Sequence, residues 1–153
     1  MQENTNIELH IEPFKGIGPI NFTMTRNNVE HAFTHVYSSF FKVEDSKFRS
    51  DHNQVTGVIT HYNNQGIVEC IELVPKLEYS NIKVYFKDTE ITNFSVEDGI
   101  ALFLAFSKDF TKDNYGYSFH DLGTSVHLGA NESKKLIDNI GLVSDQNYWK
   151  KNS

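Results

Sequence analysis

The chain predicts an α+β fold, an antiparallel sheet with two main helices packed against it. Three observations carry this reading. Apolar residues recur with the 3.6-residue period of a helix in two stretches, they alternate with period two in several shorter runs, and turn-forming residues separate those runs. With 153 residues the chain has the size of one domain and can bury a hydrophobic core of its own, so residues 1-153 are read as a single α+β domain.

The first helix is expected from about Arg26 to Phe41, because Val29, Phe33, Val36, Tyr37 and Phe40 fall on one face. Thr25 is placed to cap it, its hydroxyl accepting from a free backbone N–H of the first turn. Lys42 to Asn53 is polar and irregular and reads as a connecting loop or a weak edge strand. The runs VTGVITHY and IVECIELV flank Asn63-Asn64-Gln65-Gly66, and a glycine able to take positive φ makes the pair a β-hairpin. Both runs carry apolar residues on both faces, which puts the hairpin in the middle of its sheet. Pro75, lacking an N–H for the ladder, ends the second strand.

Ile82, Val84 and Phe86 alternate as a third strand that should pack on a helix. That helix starts at Ser95, where Ser95 and Asp98 resemble a capping box with the shorter acid. Ile100, Leu102, Phe103, Leu104 and Phe106 surround nearly its whole girth, so deep burial is expected. A further strand pair begins at Tyr115, with Tyr117 and Phe119 on the same side, and Thr124, Val126 and Leu128 repeat the pattern after Asp121-Leu122-Gly123. The stretch NESKKLIDNIGLVSDQNYW fits either a short helix followed by a strand or one irregular strand.

Composition narrows the function classes. Hydrophobic residues make up 39% and charged residues 22%, which excludes a disordered or low-complexity chain. The first residues, MQENTNIELH, have neither a basic region nor an apolar run, and no segment holds the roughly 20 apolar residues that span a bilayer; a cytoplasmic protein with no membrane partner is expected. A formal net charge of −6 argues against direct nucleic-acid binding and would attract a basic protein partner, although an acidic surface that only keeps a small domain soluble is the more common case. Cys70 cannot form an internal disulfide alone and, inside IVECIELV, reads as a small buried hydrophobe.

No coherent reaction is written in the motifs. His31 and His35 have the four-residue spacing of a metal pair, but they fall opposite the apolar face, and Ala32 stands where a metalloprotease needs glutamate. His10, His52, His61, His120 and His127 are scattered over separate elements. His120 and Asp121 are adjacent and would point to opposite faces of a strand. No nucleophile elbow or P-loop occurs, and Gly16-Ile17-Gly18 lacks the third glycine of a dinucleotide fingerprint. No catalytic, cofactor-binding or metal-binding residue is assigned, and no cofactor is expected. The candidate partner-binding residues are Asp109, Asp113, Tyr115 and Tyr117, in a segment where acidic groups and amphipathic rings lie together.

The stretch GIGPINFTMT, residues 16–25, is a shaped approach to the first helix. Gly16 and Gly18 open backbone angles closed to other residues, and Pro19 fixes its own φ. Ile20, Phe22 and Met24 are then delivered to one side before the chain turns at Thr25. Through Gly16, Gly18, Pro19, Phe22, Met24, Thr25 and Val29 this stretch resembles the GxGPxxFGMT-type N-terminal motif of a group of small bacterial proteins. That group includes proteins assigned as immunity proteins of polymorphic-toxin and contact-dependent inhibition systems. GYSFHDLGTSVHLG is similar to the aromatic-to-LG strand of the same group. Residues 22–25, with Thr23 where glycine is usual, also resemble the motif that leads into a helix in the β-lactamase inhibitory protein and the small outer-membrane assembly lipoproteins.

The resemblance implies helices on an antiparallel sheet and no catalytic residue. It further implies a cytoplasmic immunity protein that binds and neutralises a cognate toxin domain, including a basic nuclease. Two other readings stand beside it: an enzyme or small-ligand binder with a pocket built from dispersed residues such as His61, His120 and Tyr117, and a structural or adaptor domain.

Overall fold

The structure, a computed structural model, describes residues 7–32, 37–40, 49–53, 55–74, 82–127, 137 and 139–145. It is an α+β fold with mostly antiparallel strands in two sheets. The smaller sheet is built from β1 (Ile7–Glu12), β2 (Gly16–Gly18), β3 (Ile20–Asn21), β8 (Ile82–Phe86) and β9 (Thr89–Glu90), in the order β3-β2-β1-β8-β9. The larger contains β4 (Tyr37–Phe40), β5 (Ser50–Asn53), β6 (Val58–Tyr62), β7 (Val68–Leu73), β10 (Phe110–Lys112), β11 (Gly116–Phe119), β12 (Thr124–His127) and β13 (Ile140–Val143). Its order is β10-β11-β12-β13-β7-β6-β5-β4. The helices are α1 (Arg26–Ala32) and α2 (Val96–Phe106).

GIGPINFTMT folds as a tight hairpin. β2 and β3 pair around a cis Gly18–Pro19 bond, and Ile17 faces Ile20 in the register. Gly16 sits at φ 142°, and a Cβ there would run into the carbonyl oxygen of Ile20. Ile20 is buried, and Phe22 and Met24 pack half-buried against the core, as the alternation predicts. Thr25 caps α1 reciprocally with Asn28: the Asn28 N–H donates to the Thr25 hydroxyl at 3.3 Å, and the Thr25 N–H donates to Asn28 Oδ1 at 3.1 Å. The Val68 N–H donates to the Met24 carbonyl at 3.0 Å, tying the start of α1 to β7.

α1 is shorter than its periodicity predicts. Among the described residues it spans Arg26–Ala32, and Tyr37–Phe40, expected in the same helix, are instead strand β4, paired antiparallel with Ser50–Asn53. The sequence after Ala32 is rich in aromatic, β-branched and serine residues, poor helix formers that suit a pleated surface, and pairing with β5 prevails over the apolar period. Phe33, His35 and Val36 lie outside the described residues, as do Phe41 to Phe48, Pro75, Leu128 and most of the stretch 131–138. The four residues of β5 correct the loop or weak-edge reading: β5 is flanked by β4 and β6, with Ser50, Asp51 and Asn53 buried.

The β6–β7 hairpin is central, as expected. β13 confirms a strand in the C-terminal stretch. One pairing departs from the antiparallel pattern: β1 runs parallel to β8, Ile7 opposite Ile82 through Ile11 opposite Phe86.

α2 joins the sheets. Its N-cap is Ser95, whose hydroxyl accepts from the Asp98 N–H at 3.1 Å. Phe103 lies 4.5 Å from Phe86 of the smaller sheet and 5.4 Å from Phe119 of the larger, centroid to centroid. Gly99 lets Ile137 approach the helix, because a Cβ there would overlap the Ile137 side chain. Burial is one-sided, correcting the expectation of deep burial all round: Ile100 and Phe103 are buried, Leu102 and Leu104 half-buried, and Phe106 exposed.

Candidate functional site

The segment that follows α2 builds the most exposed apolar surface among the described residues. The helix stops at Phe106, and Ser107 is extended. Asp121 clamps this exit: the Ser107 hydroxyl donates to its Oδ1 and the Lys108 N–H to its Oδ2, both at 2.6 Å. Burial alone would raise the Asp121 carboxyl, but the Lys108 N–H and Ser107 hydroxyl outweigh it and hold the group below the usual aspartate range. From this anchor the chain runs into β10, at one end of the larger sheet, and returns in β11.

An aromatic ladder supports the hairpin from behind. It climbs from Phe86 through Phe103 to Phe119, and then to Tyr117 at 5.9 Å and Phe110 at 6.3 Å. Lys112 Nζ lies 5.5 Å over the Tyr117 ring. Asp113 shapes the turn, accepting the N–H of Tyr115 at 2.7 Å and of Gly116 at 3.0 Å on Oδ1. That turn projects Tyr115, 75% exposed.

All four partner-binding candidates from the sequence therefore lie on this one hairpin, in different environments. Asp109, Asp113 and Tyr115 are exposed, whereas Tyr117 is half-buried between Lys112 and the aromatic ladder. Beside the hairpin lies a cleft of about 310 Å³, whose walls include Glu72, Asp113, Tyr115, Tyr117, Ser125 and His127. The cleft takes in Tyr117 but neither His61 nor His120. His120 instead contacts the Thr111 hydroxyl through Nε2 at 3.0 Å, while Asp121 serves the end of α2. A second cleft, about 410 Å³, opens where β1 and β8 end together, and Lys15, Lys87, Glu12 and Asp88 mix both charges there.

Two polar assemblies in the middle of the larger sheet went unseen in the sequence. On the face toward the core, Asp51 receives Arg26 Nε at 3.0 Å, Arg26 Nη2 at 3.1 Å and the Tyr62 hydroxyl at 2.7 Å. These Asp51 hydrogen bonds raise the Arg26 pKa, and burial, reinforced by the Asp51 carboxylate, pushes Tyr62 well above the ordinary phenol range. On the other face, His61 Nδ1 lies 2.6 Å from the Ser50 hydroxyl and His61 Nε2 lies 2.6 Å from Glu72 Oε2. The Ser50 hydroxyl and the Glu72 carboxylate thus hold the His61 ring from both sides.

This serine, histidine and glutamate set has the composition of a hydrolytic triad but not its access. Ser50 is 2% exposed and His61 4%, and the chain of contacts leads to Glu72 at the cleft wall. His31 is exposed on α1, its Nδ1 2.7 Å from the Asn27 carbonyl oxygen, and its intended metal partner His35 lies outside the described residues. Among the described residues no group of three or more His, Cys, Asp or Glu side chains could hold a metal ion, and no helix is long and apolar enough to cross a membrane. Compared with protein-family models, with curated proteins and with solved structures, the chain matches none.

Proposed function

We propose that this chain is an immunity protein that binds a cognate toxin domain through the β10–β11 hairpin and the adjoining end of α2. One observation carries the reading. The exposed large apolar side chains among the described residues, Phe106, Phe110 and Tyr115, all belong to this one stretch at the end of the sheet. Aromatic anchors on a rigid support, ringed by charged groups, are the usual centre of a protein interface. The support is the ladder from Phe119 to Phe86, and the charged surround includes Asp109 and Asp113. A net charge of −6 favours a basic partner and faster association at low salt.

The test is co-expression with the product of the adjacent gene, followed by purification and a growth-rescue assay. A stable complex with rescue is expected, and Tyr115→Ala or Phe110→Ala should weaken it by about tenfold or more. Failure to bind or rescue would overturn the immunity reading for that pair. Binding unaffected by either substitution would remove the hairpin as the docking surface.

A further inference from the structure

The hairpin edge also carries a backbone code. β10 pairs with β11 so that Phe110 faces Phe119, Thr111 faces Ser118 and Lys112 faces Tyr117. The His120 N–H donates to the Asp109 carbonyl at 2.8 Å, and the Asp113 N–H donates to the Gly116 carbonyl at 3.0 Å. Hydrogen-bonded pairs alternate in an antiparallel ladder, so Asp109, Thr111 and Asp113 turn their backbone groups toward β11. Phe110 and Lys112 turn theirs the other way. Among the described residues β10 has no second neighbouring strand, and Phe110, Thr111 and Lys112 are all exposed.

The side chains add a pattern to those outward groups. Asp109, Thr111 and Asp113 share one face, while Phe110 and Lys112 share the opposite face, where Phe110 rests on Tyr117 and Phe119. We infer that β10 is completed by an extended segment of the toxin, added antiparallel, with basic residues opposite Asp109 and Asp113 and an apolar residue opposite Phe110. An acidic or polar residue suits the place opposite Lys112. A second copy of this chain fits poorly, because antiparallel pairing centred on Thr111 sets Asp109 against the other copy's Asp113. This inference rests on the hairpin being the docking surface.

A blocked peptide containing Lys-Glu-Thr-Val-Arg serves as the probe, since antiparallel addition places its lysine opposite Asp113 and its arginine opposite Asp109. A control of equal composition has the two basic residues moved to neighbouring positions. The expected result is slowed amide exchange at Phe110 and Lys112 with the probe and not with the control. Lys112→Pro removes one outward N–H while sparing the bonds to β11, and should weaken the probe by about tenfold. Lys112→Ala keeps that N–H and should retain binding. Equal binding of the control, protection elsewhere, or full binding by Lys112→Pro would overturn strand addition, and should that proline variant misfold, the exchange pattern of the unaltered protein decides.

Tyr115→Ala and Lys112→Pro together separate this inference from the docking reading. A toxin whose affinity falls with Tyr115→Ala but not with Lys112→Pro docks on the hairpin through side chains alone. A toxin indifferent to both docks elsewhere.

Discussion

Two polar assemblies stand back to back on β5 and β6, one residue apart in sequence and opposite in character. Asp51 and Tyr62 meet Arg26 on the core side, and Ser50 and His61 meet Glu72 on the other. The Asp51 side chain is 1% exposed and that of Glu72 35%. The core-side group fastens α1 to the sheet through Arg26, which is itself 35% exposed and also lies 3.4 Å from Glu30. The other crosses β5, β6 and β7 and ends at the wall of the cleft. The same alternation of side chains serves both: a strand can carry a structural fastening and a surface support at consecutive positions if each buried polar atom finds a partner.

Breaking the core-side assembly should cost most. Asp51→Ala leaves the Arg26 charge without its main partner and should lower the unfolding free energy by about 3 kcal/mol, read from urea denaturation. A loss near that of a surface ion pair would mean the two assemblies are equivalent. Tyr62→Phe removes only the hydroxyl and should cost about 1–2 kcal/mol. On the opposite face Ser50→Ala should cost about 1 kcal/mol in the same assay and disturb amide shifts beside Glu72 and His127, whereas Tyr62→Phe should leave those shifts in place. Asp121 gives the mildest case. Its pKa is depressed in the folded state, so its contribution is present above the ordinary aspartate range and is lost as pH falls through the folded value. Asp121→Asn should therefore narrow the acid-side stability difference, and an unchanged pH profile would count against the clamp on Ser107 and Lys108.

Much of the fold was legible because apolar alternation reports burial directly. The β6–β7 hairpin, β8 and α2 all follow from where Val, Ile and Phe recur. β5 was illegible for the converse reason. Ser50 and Asp51 are polar yet buried, and their partners are His61 and Arg26, which no local pattern connects to them. The β6–β7 register could have placed His61 near Glu72 from the hairpin alone, but Ser50 required β5 first. The four partner-binding candidates, Asp109 to Tyr117, were found as a cluster by their residue types. What the sequence could not convey is that Phe106 and Phe110 join them at the surface, since apolar residues at the end of a helix read as core.

The parallel pairing of β1 with β8 has a consequence for synthesis. Ile7 leaves the ribosome before Ile82 and must wait for it, on the order of several seconds at ordinary elongation rates. Until then Leu9 and Ile11, which end up buried, border an incomplete sheet. Stalled nascent chains that end before β8 should be cut by protease within residues 7–12, and chains extended well past Phe86 should resist there. β1 thus waits for β8 much as β7 of the central hairpin waits for β13, so both strands depend on the cell's holding factors until those later neighbours emerge.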